Sequence, residues 1–251
     1  MAELGTAIMQ YNSKVNIADL CIARQVELFD HLMDEAERSW PKRLRSQAQL
    51  EESCHSLVMR PLSCDILQTA MVPLREQFPA ESNCGLIYYE PCSMHVTVFG
   101  LPGFVVGGAL HRHLERLLMA QTPALRPFTT VVSGLSVIGD ALVARCLDKD
   151  GKIVRFVNAC LDELSEELGD EVLELVRGAE LHRSIFWVTL ARLRSDLDSD
   201  CGRLLLEEVS KRRHLELGVL SFDAVSLSRT NGLFSIDKTT DLSRFELGLL
   251  T

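Results

Sequence analysis

Ser93-Met94-His95-Val96-Thr97-Val98-Phe99-Gly100 is the stretch from which the rest of the chain is read. Met94, Val96 and Val98 fall on one face, and Ser93, His95 and Thr97 on the other. This is the period-2 signature of a half-buried strand. The apolar row is expected to pack on a core, with imidazole and hydroxyl side by side on the opposite face. A second segment, Ile185-Phe186-Trp187-Val188-Thr189-Leu190-Ala191-Arg192-Leu193, has the same shape. Aligned on Thr97 and Thr189, Met-His-Val-Thr-Val-Phe lies over Phe-Trp-Val-Thr-Leu-Ala. The second copy thus carries Trp187 where the first carries His95.

The chain has 251 residues, enough for one large domain or two small lobes with a proper core. Apolar residues make up 47% and charged residues 24%, an ordinary globular balance. A formal net charge of -9 argues against duplex DNA or non-specific nucleic-acid binding, which draws its affinity from neutralising phosphates. It leaves room for a small nucleotide or an RNA end in a locally basic cleft. The first residues lack the basic and apolar regions of a signal peptide. The most apolar run, Val96 to Leu110, is broken by Pro102 and glycines and is too short to span a bilayer. A soluble, cytoplasmic protein is expected. None of the eight cysteines forms a C-x-x-C pair, and Cys21, Cys146 and Cys160 lie in apolar periodic segments, so all are expected to be reduced.

From about Val15 to Trp40 the apolar residues recur at three- and four-residue steps, predicting an amphipathic helix stopped by Pro41. Lys42-Arg43-Leu44-Arg45 reads as a solvated basic cluster, and Ser46 to Glu52 as a polar helical stretch. Residues 1–52 form an N-terminal helical extension, and residues 53–251 the main domain. In the main domain a strand is expected at Ser56 to Pro61 and a helix at Asp65 to Phe78. Gly85 to Tyr89 is expected to pair with the His95 strand across Glu90-Pro91. A helix follows at Ala109 to Gln121, then strands at Phe128 to Val137 and Ala141 to Leu147, and a helix at Ile153 to Leu168. Beyond Trp187 come a helix at Gly202 to Arg213, one strand at Leu220 to Leu227, and a closing hairpin or edge from Asn231 to Leu247. This rhythm implies an α+β chain, and the two matching segments suggest two similar lobes sharing a groove.

With these residues the chain resembles the two-histidine (2H) phosphoesterase superfamily, which includes the RNA 2′,3′-cyclic phosphodiesterases, also called 2′,5′-RNA ligases. The first motif of that group stands intact as Met94-His95-Val96-Thr97-Val98. The second, Trp187-Val188-Thr189-Leu190-Ala191-Arg192, looks like the family's His-x-Thr-Leu-Ala-Arg with its histidine replaced. The resemblance runs from roughly Ser56 to Leu247. It implies a two-lobed α+β fold with antiparallel sheets around a central groove, and a nucleotide, cyclic-phosphate, 2′,5′-linked oligonucleotide or RNA-end ligand. It implies no metal and no cofactor.

In the family one histidine takes a proton from the attacking oxygen, the other gives one to the leaving oxygen, and the threonines bind the phosphate. An imidazole suits both tasks because it titrates near neutrality. His95, Thr97 and Thr189 are therefore the candidate catalytic residues. Trp187, Tyr89 and Arg192 are the candidates for substrate binding. Trp187 cannot serve as acid or base, because an indole N–H only donates. Losing such a partner typically costs about 10²–10⁴-fold, so the residues leave turnover open. The rival reading is a pseudoenzyme that senses a ligand or meets a protein partner through the N-terminal helix. His182-Arg183-Ser184-Ile185 also fits His-x-Ser-hydrophobic, but it lies about 16 Å along the strand from Trp187 and on the other face. Simple alternation likewise sets Arg192 on the face opposite Thr189. Lys211-Arg212-Arg213-His214 reads as a basic helix end that complements the helix dipole.

Overall fold

The computed structural model describes residues 22–39, 44–79, 85–102, 108–169, 176 and 183–248. Its helices are α1 (Ile22–Ser39), α2 (Gln47–Leu50), α3 (Asp65–Gln77), α4 (Gly108–Gln121), α5 (Lys152–Leu168) and α6 (Ser199–Ser210). Its strands are β1 (Ser53–Met59), β2 (Leu86–Tyr88), β3 (Val96–Pro102), β4 (Phe128–Ile138), β5 (Ala141–Leu147), β6 (Phe186–Leu193), β7 (Glu216–Phe222), β8 (Ala224–Asn231) and β9 (Thr240–Glu246).

Every named strand pairing is antiparallel, and the strands join in one sheet of order β7-β4-β5-β6-β3-β1-β8-β9, with β2 added along β6. The two motif strands β6 and β3 are neighbours in its middle. Counting the motif strands themselves, four strands lie on each side, β6-β5-β4-β7 and β3-β1-β8-β9, so each matching sequence opens one half of the sheet. This is the α+β, antiparallel, two-halved architecture that the sequence implied.

Two expectations are corrected. Gly85 to Tyr89 does not pair with the His95 strand. A single helical turn at Pro91–Ser93 carries the chain onward rather than back, and β2 and β3 both lie along β6. The strand expected at Leu220 to Leu227 is two strands. β7 ends at Phe222 and pairs with β4, while β8 starts at Ala224 and pairs with β1 and β9 at the other side of the sheet. Apolar residues on both sides of Asp223 hid this break, Leu220 and Phe222 before it and Ala224 and Val225 after it.

Alternation places Val96, Val98, Ala144, Cys146, Phe186 and Val188 on the sheet face that joins the main core. The apolar sides of α3, α4, α5 and α6 close over that core through residues such as Leu67, Leu118, Val157 and Leu205. Burial pushes the thiol of Cys64 up to about 11 and raises those of Cys146 and Cys160 as well, so they behave as small apolar fillers. Cys21 and Cys84 lie outside the described residues, as does His182.

Helix α1 is packed against the sheet. Phe29, Leu32, Ile22, Val26 and Leu28 pack with Ile138, Leu147, Ile185 and Trp187. Polar anchors then fix the helix in register. The Gln25 amide donates to the Asp148 carbonyl at 3.1 Å and accepts from the Asp148 N–H at 2.9 Å, copying a strand partner. The outward side of α1, with Glu27, His31, Asp34, Glu37 and Arg38, is exposed and polar. No helix among the described residues is long and apolar enough to cross a membrane.

Candidate functional site

Val96 of β3 pairs with Val188 of β6. Antiparallel counting from this pair sets His95 against Thr189 and Thr97 against Trp187. All four point away from the Val96–Val188 face, because side chains alternate across a strand. The two segments therefore meet in a crossed arrangement in which each threonine faces the other motif's aromatic residue.

Arg192 joins them by an irregularity. Val143 of β5 pairs with Thr189, and the next residue back, Leu142, pairs with Ala191, so Leu190 is an extra residue in β6. Ala141 then pairs with Arg192. Ala141 and Val143 share a face of β5, so Thr189 and Arg192 share one too, and the expectation from simple alternation is corrected.

The surroundings of His95 are closed. The residue is 2% exposed, and its ring lies 3.7 Å from that of Phe234 and 6.4 Å from that of Tyr89, centroid to centroid. Its Nδ1 sits 2.7 Å from the Ser93 carbonyl oxygen. A carbonyl only accepts, so Nδ1 carries a proton, and the lone pair of the neutral ring is on Nε2. Thr189 is also buried, whereas Thr97, Trp187 and Arg192 keep part of their surface. Trp187 packs against the α1 cluster, which accounts for its bulk.

A charged network backs the site. Arg192 donates from Nη1 to Asp140 at 2.9 Å and from Nε to the Tyr89 hydroxyl at 3.4 Å. Arg45 holds the same carboxylate from Nε at 2.5 Å and Nη2 at 3.1 Å. Burial alone would lower the Arg192 pKa, but Tyr89 and Asp140 outweigh it and hold the guanidinium above its ordinary value. Two guanidiniums share one carboxylate. Arg45, read as solvated, is thus half buried in an ion pair.

Sequence reasoning missed Asp140, Ser93 and Phe234. The Asn231-Gly232 pair is a turn signal, but nothing local says that the turn would deliver Phe234 onto His95. It missed Arg145 as well, which is fully buried opposite Trp187. The Arg213 side chain, read as a helix-end charge, instead pairs with Asp30 and Asp34 of α1, both at 2.9 Å. Elsewhere, His113, Arg116, Glu163 and Glu166 help line a cleft of about 560 Å³ between α4 and α5 to which none of the motif residues contributes.

By sequence, no protein-family model and no curated protein matches the chain. By structure, TT0787 of Thermus thermophilus matches at 15% identity and a TM-score of 0.58, over 78% of this chain and 98% of its own. Escherichia coli LigT, in a crystal structure with ATP, matches at 14% identity and a TM-score of 0.51, over 79% of this chain and 99% of its own. A crystal structure described as a phosphoesterase matches at 12% identity and a TM-score of 0.51, over 79% of this chain and 100% of its own.

The chain has the two-histidine phosphoesterase fold. In this fold β3 and β6 carry the two matching segments, whose shared face holds His95, Thr97, Trp187 and Thr189. About a fifth of the chain lies beyond what these solved structures match.

Proposed function

We propose that this protein binds a nucleotide, cyclic phosphate or RNA-end phosphate on its motif face and has lost two-histidine catalysis. The observation that carries the proposal is the Val96–Val188 pairing, which sets Trp187, not an imidazole, against Thr97. A phosphate there would meet the hydroxyls of Thr97 and Thr189, with Arg192 as the nearby cation. His95 would supply the single titrating group. One imidazole can take a proton or give one, but the reaction needs both events on opposite sides of the phosphorus. The solved structure of the similar LigT with ATP makes adenine nucleotides the first ligands to try. We divide the chain in the same spirit, with residues 1–52 as an extension and residues 53–251 as the fold proper.

A second reading keeps slow hydrolysis, and the His95 tautomer favours it. A neutral ring with Nδ1–H on Ser93 keeps its basic lone pair on Nε2, and water would protonate the leaving oxygen. Calorimetry with adenosine 3′-monophosphate and 2′,3′-cyclic AMP, together with product analysis by chromatography, separates the two readings. Binding without His95-dependent turnover is the expected result. Ordinary enzyme rates of about 1–10³ s⁻¹ that vanish in His95→Ala would overturn the loss of catalysis. Absence of binding to either compound would overturn the ligand class.

A further inference from the structure

Phe234 is the one non-glycine residue with positive φ among the described residues, at +50°. A large aromatic side chain rarely takes this conformation, so it persists only where its surroundings over-determine it. They do so here. The Asn231 side-chain oxygen accepts from the N–H groups of Leu233 and Ser235, at 3.2 and 3.1 Å, and its amide donates to the Ser235 hydroxyl at 3.2 Å. The Tyr89 hydroxyl donates to the Gly232 carbonyl at 2.9 Å, and the Ser93 hydroxyl donates to the Phe234 carbonyl at 2.7 Å. Behind the turn, a Cβ on Gly232 would come within 2.9 Å of the Leu50 carbonyl oxygen, so the end of α2 leaves no room for retreat on that side.

What this arrangement holds is a phenyl ring, 6% exposed, lying against the imidazole of His95. Ser93 ties the two together, since its carbonyl takes the His95 Nδ1–H while its hydroxyl grips Phe234. We propose that Phe234 is a gate and positioning residue for His95. It fixes the imidazole plane and covers the ring, so that a ligand reaches His95 only when the Asn231–Ser235 turn lifts. The proposal rests on His95 being the group that a ligand must reach. It does not depend on which ligand that is, or on whether turnover follows.

Diethyl pyrocarbonate, which acylates accessible imidazole nitrogens, tests this directly, with each histidine read by peptide mass spectrometry. In the wild type, His95 should react at least tenfold more slowly than His214, whose side chain is 63% exposed. In Phe234→Gly, which takes positive φ without strain and carries no ring, His95 should speed up at least tenfold. Phe234→Asn, which tolerates the same φ, should do the same. His113, 5% exposed, should stay protected in all three proteins. The proposal is overturned if wild-type His95 reacts as fast as His214, or if it stays protected in both variants. A parallel rise at His113 overturns it too, because the ring would then be general packing rather than a gate.

Discussion

Arg145 and Trp187 stand opposite one another on β5 and β6, and together they seat α1 on the motif face. Trp187 offers apolar surface to the α1 cluster. Arg145, fully buried, donates to the Val26 carbonyl at 3.1 Å, stacks over the Phe29 ring at 5.0 Å and pairs with Asp30 at 3.0 Å. Burial pushes its guanidinium pKa down, and the Asp30 carboxylate works against that. On the β5–β6 side, the motif face around Trp187 and Arg145 is therefore packed against α1.

Removing Asp30 strands that buried charge, while Arg213 keeps Asp34. Asp30→Ala should cost roughly 3 kcal/mol in urea unfolding, the scale for breaking a buried pair by deleting one partner. Asp34→Ala, whose partner Arg213 keeps Asp30, should cost less than about 1 kcal/mol. Equal losses in the two variants would show that the buried pair is not what secures α1.

Trp187→His puts an imidazole back across from Thr97. It also takes bulk from the α1 cluster, so stability should fall by about 1–3 kcal/mol. Turnover of a 2′,3′-cyclic nucleotide should rise about 10²-fold over wild type, the lower end of what one proton-transfer partner contributes. Adding His95→Ala should remove the gain. A rate unchanged from wild type would mean that position 187 no longer faces the reacting phosphate.

Gly134 bends β4 at φ +82°, and a Cβ there would lie 2.2 Å from the Arg213 carbonyl oxygen. That oxygen also accepts from Arg145 at 2.6 Å. Gly134→Ala should therefore destabilise the protein by at least about 3 kcal/mol, through the clash and the strained φ together. Chemical denaturation measures it. A loss under about 1 kcal/mol would show that the strand can shift freely there.

His55 pairs with Arg229 across β1 and β8. Burial first, then Arg229 and His111, hold its pKa below the ordinary 6.5. The unfolded chain then takes up a proton that the folded chain refuses. This contribution to stability is therefore intact above about pH 6.5 and is lost as the pH falls below it. His55→Gln should make the drop in stability between pH 7 and pH 5 shallower in urea titrations. An unchanged slope would mean that His55 protonates equally in both states.

Much of the fold was legible because its signals are local. The alternation through Met94 to Val98 and through Phe186 to Leu190 announced two half-buried strands. Their alignment on Thr97 and Thr189 anticipated two similar halves, but not that both belong to one sheet. The apolar spacing of α3, α4 and α5 marked helices to within a residue or two at most ends. The break at Asp223 was not legible, since apolar residues flank it on both sides and nothing local says that β7 and β8 join opposite sides of the sheet.

The site divides along the same line. Sequence alone determined that one motif carries an imidazole and the other an indole, because residue identity at a repeated spacing needs no coordinates. Only the tertiary structure decided which faces meet. A one-residue bulge at Leu190 turned Arg192 toward Thr189, the Asn231 turn laid Phe234 on His95, and α1 came to rest on Trp187. Each of these joins residues far apart in the chain, and pairing register, bulges and helix docking are settled by the packing of the whole core rather than by any neighbouring residue.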